Sequence, residues 1–363
     1  MKAVVLVGGE GTRLRPLTTT IPKPLLPIAN QPFLERQLTW LASHGVDDVV
    51  LSLGYLPDAF IEQFPESEFA GVRLRYAVED QPLGTAGAIR FAADGIDERF
   101  IVCNGDVLTD LDLSALIAFH AERGAEATIS LTEVEDPTAF GVVPTFDDGE
   151  VKAFIEKPPA DTAPTKWINA GTYVLEPSVL ERIPPRLNVS IERETFPRML
   201  ERRGILYAQP SPAYWLDIGT PEKYLQAHRD VLAGQLGVPV LGAVERSSGV
   251  WIQGAPQIAH DAELVAPVLI ADGAVVAPGA KVANSVLGAR AAVDAGAVVE
   301  SSVMLADSHI ASSGVARNSI LGPASLLEHD VVVDQITVVG PDAVVEAQTT
   351  LHGARVDAGG ATS

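Results

Sequence analysis

The stretch Lys2-Ala3-Val4-Val5-Leu6-Val7-Gly8-Gly9-Glu10-Gly11-Thr12-Arg13-Leu14-Arg15 decides how the rest of the chain is read. Residues 3–7 are an unbroken apolar run ending in glycines, the pattern of a strand buried on both faces in a parallel sheet. Gly8, Gly9 and Gly11 remove side chains where backbone must approach something bulky. Successive exposed N–H groups in such a turn make a concave anion site. Thr12 adds a hydroxyl donor, and Arg13 and Arg15 add cations. The loop suits phosphate. It is not a Walker A loop, since no lysine follows Gly11, nor a dinucleotide fingerprint, since Leu14 stands where a third glycine belongs.

Working outward, Asn30 is placed to cap a helix with Pro32 in its first turn, Leu34, Leu38 and Leu41 on one face, and Gly45 as its stop. The apolar strand 49–53 follows, which makes a βαβ unit with a parallel sheet and right-handed crossover. Further signals are a strand at 74–78, a helix capped by Thr85, and a buried strand at 100–103. Leu113, Leu116, Ile117 and His120 mark a helical face ended by Gly124. The pattern predicts a doubly wound, Rossmann-like α/β domain. Ligands of such sheets bind at the carboxyl ends of strands, where Gly8 and Asn104-Gly105-Asp106 fall. Short strands at 128–134, 141–145, 151–155 and 171–175 extend the sheet, and a helix at 226–232 closes a domain of residues 1–232.

Residues 233–250 are rich in glycine and read as a linker. Beyond it aliphatics recur every six residues at Leu264, Ile270, Val276 and Val282, then at Leu287, Val293, Val299 and Leu305. The beat returns at Val315, Leu321, Leu327, Val333, Val339, Val345 and Leu351. This hexapeptide period predicts a left-handed parallel β-helix over residues 251–356, with shortened corners or outward loops at 282–287 and 305–315. Residues 357–363 read as a flexible tail.

The 363 residues are 47 % apolar and 20 % charged, an ordinary composition for a chain with filled cores, and the formal net charge is −21. Such acidity argues against nucleic acid or an anionic membrane as partner. Cations in an anion site must therefore act locally. Cys103 is the single cysteine and sits in a buried-strand pattern, which points to a structural role and a reducing, cytoplasmic setting. The N-terminal apolar run is too short for a signal peptide, and no stretch is long enough to span a bilayer.

Two aspartates carry a metal signal: Asp106 in Asn-Gly-Asp-Val and Asp217 in Trp-Leu-Asp-Ile-Gly-Thr. Each follows apolar residues, where a carboxylate without a partner is costly and a cation resolves the cost. Lys157 at an expected strand end is a compact charge suited to phosphate, and Glu156 beside it can accept from hydroxyls. Asn169, next to Gly171, offers an amide that both donates and accepts.

The first loop, together with Pro22-Lys23-Pro24-Leu25-Leu26-Pro27, resembles the signature of the sugar-1-phosphate nucleotidyltransferases, and the likeness runs from Lys2 to about Val356. The resemblance implies that the glycine loop, with Leu6, Gly8, Gly9, Gly11 and Thr12, holds an NTP whose phosphates meet Arg13 and Lys23. It implies that the segment with Gly84 and Thr85 reads the base, and that Asn104, Gly141, Glu156, Asn169 and Gly171 bind substrate. Lys157 would hold the sugar phosphate, and Asp106 and Asp217 would hold Mg²⁺. Pro82-Leu83-Gly84-Thr85-Ala86-Gly87 and Ser190-Ile191-Glu192-Arg193-Glu194-Thr195-Phe196-Pro197 resemble the mannose-1-phosphate guanylyltransferase branch. That branch implies GTP and mannose-1-phosphate as substrates, with glucose-1-phosphate uridylyl or thymidylyl transfer as the alternative. A non-catalytic regulatory subunit would have an interrupted loop or lost aspartates, and this chain has neither. His260, His309, His329 and His352 in the repeats raise an acyltransferase alternative but show no special spacing. The repeats are expected to stabilise the chain and assemble it as a homo-oligomer, leaving the site intact in residues 1–241.

Overall fold

The computed structural model describes residues 1–159, 161–236, 240 and 242–362. The chain divides into two compact units, Met1–Gly9 with Leu34–Trp215, and Glu10–Phe33 with Leu216–Ser363. The loop after the first strand therefore belongs with the repeats, a partition that differs from a boundary at residues 232/233.

The first unit is built on β1 (Lys2–Leu6), β2 (Asp48–Leu53), β3 (Val72–Val78), β4 (Phe100–Asn104), β5 (Ala127–Glu133), β6 (Trp167–Leu175) and β7 (Leu206–Pro210). β4, β1, β2 and β3 run parallel in that order, so β1 is central and Ala3, Val4 and Val5 are fully buried. β6 joins β4 antiparallel, β5 joins β6 antiparallel, and β7, which the sequence reading lacked, joins β5 parallel. Helices α1 (Phe33–Ser43), α2 (Gly84–Ala92) and α3 (Leu113–Arg123) complete the α/β arrangement. In α3, Asp112 caps the first turn, Gly124 ends the last, and Leu113, Leu116 and His120 face inward. Cys103 is buried, and burial pushes its thiol up to about 12, so it packs as a small hydrophobe.

Three expectations shift. Asn30 does not cap α1, because Pro27–Ile28 and Gln31–Pro32 form a hairpin whose turn holds Ala29 and Asn30 at positive φ. Thr85 lies inside α2 rather than capping it, with Leu83 in the capping position. The strands expected at 141–145 and 151–155 shrink to Gly141–Val142 and Ile155–Glu156 plus a Thr145–Val151 bridge, since Pro144 has no N–H to offer a ladder.

In the second unit, α4 (Pro221–Leu232) starts after the Thr220 cap. Ala243–Ser247 and Val250–Gln253 then pair as an antiparallel hairpin that runs from the expected linker into the expected repeats; residues 237–239 and 241 of that linker lie outside the described residues. The repeats follow as stacked parallel ladders, one face running from Gln257–Ile258 to Ala361–Thr362, and the other two joined where Glu263–Ile270 and Lys281–Leu287 turn a corner. Val276, Val282, Leu287, Val293, Val299, Leu321, Leu327, Val333, Val339 and Val345 fill the interior at the expected positions, and Ile310 joins them. Leu305 and Val315 are one residue out of phase, for the interior ladder positions are Met304 and Ala316. The cause is a corner turned by one left-handed residue, Asn284, Ser301 or Asn318, which shortens that step to five. Where Gln335 and Ile336 both take positive φ, the step returns to six. Residues 361–362 pair with Val344–Val345, so the coil continues into the segment expected to be a flexible tail.

The short corner is sealed from inside. Ser285, Ser302 and Ser319 are buried, and the N–H of Ser302 donates to Ser285 Oγ and that of Ser319 to Ser302 Oγ, each at 3.0 Å and 17 residues apart. Ser302→Ala leaves the Ser319 N–H buried without an acceptor, at a cost of ~1–3 kcal/mol. A lower urea midpoint for unfolding of the repeats is expected; an unchanged midpoint would show that the ladder does not stabilise the coil.

Candidate active site

In the second unit the chemistry converges on Asp217. This residue ends the strand Trp215–Asp217, and Thr220 caps α4 just beyond, so the connection is tight. Asp217 Oδ1 is buried and takes no hydrogen bond. Lys23 Nζ lies 3.8 Å from Oδ1 and Lys223 Nζ lies 3.7 Å from Oδ2. A Cβ on Gly219 would come within 2.6 Å of Arg13 Nη2 and 3.1 Å of Asp217 Oδ1, so the glycine makes room for the guanidinium beside the carboxylate. Three cations thus gather on one anion. This local excess suits a polyanion despite the acidity of the chain.

The loop that carries two of these cations is a series of short turns, Thr12–Leu14, Leu17–Thr19 and Lys23–Leu25. Gly11, at φ 61°, opens the first turn, and its carbonyl accepts from Leu14 N and Thr18 Oγ1, both at 2.9 Å. A side chain there would press at 3.1 Å on Lys23 Cβ. Thr12 and Arg13 are exposed, whereas Arg15 pairs with Glu10 at 3.0 Å. The hairpin after Lys23 is anchored within the same unit. Ala29 N donates to His228 Nδ1 of α4, and Asn30 Nδ2 donates to Gln253 Oε1 and Leu287 O in the repeats. A fragment of residues 1–241 would lose these last two acceptors, through which the repeats hold the hairpin that follows Lys23.

In the first unit the site residues collect at the carboxyl end of β1 and β4. Leu6 pairs with Asn104, Gly105 N donates to Leu6 O at 2.9 Å, and Asp106 follows directly. Gly8 lies close against the Gly54 backbone, and nothing stands within 4 Å of where a Gly9 side chain would be. Gly171, at φ 76°, has no Cβ because one would sit 2.6 Å from Asn104 Nδ2. Asn169 donates from Nδ2 to the Tyr173 hydroxyl at 2.7 Å and accepts from Gly171 N at 2.9 Å. These bonds hold the irregularity between Asn169 and Tyr173 and leave the amide one N–H and one lone pair.

Gly141, Glu156 and Lys157 come together through the antiparallel pair Gly141–Val142 and Ile155–Glu156. A Cβ on Gly141 would strike the Phe154 ring at 2.7 Å and approach Glu156 Oε2 at 3.1 Å. Burial raises the Glu156 pKa, the Glu192 carboxylate raises it further, and Lys157, 3.9 Å away, opposes both. Lys157 stands at φ 49° with an exposed ammonium. Gly84 and Thr85 belong to a different contact. A Cβ on Gly84 would meet Val189 O at 2.7 Å, while Thr85 Oγ1 donates to Glu192 Oε2 and accepts from Ile191 N, each at 2.8 Å. Their side positions therefore serve packing against residues 188–192.

Lys223, Tyr173 and the carboxylate of Glu192 are site neighbours that the sequence reading did not assign. Lys223 had a readable signal, a cation in the first turn of a helix, where the helix dipole disfavours it. Tyr173 had none, since it reads as a core aromatic. Among the described residues no group of three or more His, Cys, Asp or Glu side chains gathers as a metal site, and no helix is long and apolar enough to cross a membrane. His309 and His352 pair with Asp294 and Asp334 of the repeats.

Residues 2–234 match the family model described as Nucleotidyl transferase, and residues 264–358 match that of the GMPPB C-terminal domain. The chain is 34 % identical over 359 residues to mannose-1-phosphate guanylyltransferase 1 of Arabidopsis thaliana, covering 97 % of this chain and 94 % of that one. It is 41 % identical over 283 residues to a mannose-1-phosphate guanylyltransferase of Mycobacterium tuberculosis, covering 77 % and 76 %. Among solved structures, HddC from Yersinia pseudotuberculosis complexed with GMP-PN matches at TM-score 0.55 and 33 % identity, over 63 % of this chain and 98 % of that one.

Gly219→Ala tests the cation cluster. The added methyl meets the movable end of Arg13, so thermal stability should stay within ~1 kcal/mol of wild type. Affinity for inorganic pyrophosphate, measured by calorimetry, should fall about tenfold, the size of one lost charge-assisted contact. Unchanged affinity would remove Arg13 from the anion site.

Proposed function

The chain belongs to the nucleotidyl transferase family, and from that premise we propose that it joins GTP and mannose-1-phosphate to give GDP-mannose and pyrophosphate. The observation that carries this reading is the gathering of Arg13, Lys23 and Lys223 on Asp217. It supports a triphosphate site in a chain whose full-length relatives bear the guanylyltransferase name. The glycine loop and Arg13 and Lys23 bind the NTP phosphates, and backbone near Gly84 and Thr85 reads the base. Glu156, Asn169 and the backbone at Gly141 and Gly171 take the sugar hydroxyls, while Lys157 neutralises the sugar phosphate. An oxygen of that phosphate attacks the α-phosphorus; one P–O bond forms as the bond to the departing pyrophosphate breaks. Positioning and charge neutralisation do the work, and no covalent enzyme intermediate is needed.

The donor set fits Mg²⁺, because Asp217 Oδ1 is a buried carboxylate oxygen with no hydrogen-bond donor. Asp106 and Asp217 would hold the ion, which neutralises charge on the transferring phosphoryl group when bound. We also propose that the protein is cytoplasmic and works as a homo-oligomer.

Purified protein on a grid of four NTPs against mannose-1-phosphate and glucose-1-phosphate, with pyrophosphate release as readout, tests the reading. GTP with mannose-1-phosphate should give the highest kcat/KM, with ~10²-fold selection for the base, because acceptors placed for guanine stay unpaired with other bases. UTP or dTTP with glucose-1-phosphate as the best pair would overturn the substrate assignment. Asp106→Asn and Asp217→Asn should each lower kcat by ~10²-fold; undiminished turnover would remove that aspartate from the site. Lys157→Met should raise KM for the sugar phosphate while leaving that for the NTP near normal. A loss confined to NTP affinity would reverse the roles of Lys157 and Lys23.

A further inference from the structure

Asp217 is held on both of its oxygens by lysine, Lys23 on Oδ1 and Lys223 on Oδ2, at 3.8 and 3.7 Å. These are ion pairs longer than hydrogen bonds, so the carboxylate is neutralised in charge while Oδ1 takes no hydrogen bond. We propose that in the nucleotide-free protein the two ammonium groups keep the place of the divalent cation, so that metal enters together with the triphosphate rather than before it. The inference rests on the nucleotidyl-transfer reading above.

Two further features carry it. Lys223 sits in the first turn of α4, where the exposed N–H groups and the dipole disfavour a cation and favour an anion. It pairs with Asp217 at 3.7 Å, and an arriving triphosphate offers it an anion of higher charge. Both positions also hold lysine rather than arginine. An ammonium on a four-carbon stem is a compact charge that can swing between partners, whereas a guanidinium fork fixes its geometry. A divalent cation approaching alone meets Lys23, Lys223 and Arg13 around one carboxylate, and like charges oppose its binding. When phosphate oxygens draw the lysines off, both Asp217 oxygens become free and the repulsion becomes attraction to the same anion. Apparent metal affinity and nucleotide affinity are then coupled, each raising the other by the same factor.

The test is Mn²⁺ binding to the full chain, read as loss of the free-ion signal by electron paramagnetic resonance, with circular dichroism to check folding. Without nucleotide, Lys223→Met should bind Mn²⁺ about tenfold more tightly than wild type, and Lys223→Arg should stay near wild type. The gain should vanish when Asp217→Asn is added. With a non-hydrolysable GTP analogue present, and after subtracting the Mn²⁺ that the analogue alone removes, wild-type protein should bind Mn²⁺ at least tenfold more tightly, a measurement that needs no variant. Equal or weaker Mn²⁺ affinity in folded Lys223→Met, a gain that survives Asp217→Asn, or no effect of the analogue on wild type would each overturn the proposal. Failure of the catalytic reading appears elsewhere, as absent pyrophosphate release with every NTP, so the two are distinguishable.

Discussion

A carboxylate oxygen buried without a hydrogen-bond donor is tolerable only beside positive charge, and Asp217 Oδ1 is such an atom. Much of the second unit answers that constraint. The loop from Gly11 to Leu26 is folded as turns that bring Arg13 and Lys23 to it. Gly219 leaves space for the guanidinium, and α4 begins where Lys223 can reach the second oxygen. With a formal charge of −21 across the chain, attraction for an anionic substrate cannot come from the general field. It has to be built at short range, from a few cations held by backbone turns.

The first unit solves a different problem with less charge. Its parallel strands set Leu6 beside Asn104, and Gly171 lets the Asn104 amide lie against β6. Tyr173, buried in the core, fixes Asn169 by a single hydrogen bond and so orients an amide that would otherwise rotate. Glu156 is half-buried near Glu192, which makes its ionised form expensive and favours a partner that donates hydrogen bonds. Polar groups aimed by core packing suit a hydroxyl-rich substrate better than mobile surface charges would.

The fold was legible where one physical rule acts alone. Buried parallel strands leave unbroken apolar runs, so β1, β2 and β4 stood out, and α3 carried its glycine stop. The repeat period was legible for the same reason, but its phase slipped at Leu305 and Val315, because one left-handed corner residue shortens a step without changing composition. Caps were misplaced where a tertiary partner claimed the residue, Glu192 for Thr85 and the repeats for Asn30. The grouping of the loop after β1 with the repeats was not legible at all. It depends on bonds such as Asn30 to Leu287, 257 residues apart, which leave no mark in local sequence.

On the proposed reading, the phosphates of the NTP lie on the Asp217 cluster and the sugar phosphate lies on the Glu156–Lys157 side. Hydrogen–deuterium exchange on the full chain, read by mass spectrometry, tests this most directly. A non-hydrolysable GTP analogue with Mg²⁺ should slow exchange in residues 8–25 and 216–224, and mannose-1-phosphate added afterwards should slow residues 140–158 and 168–174. Protection of residues 140–158 by the nucleotide with none at 8–25 or 216–224 would contradict it.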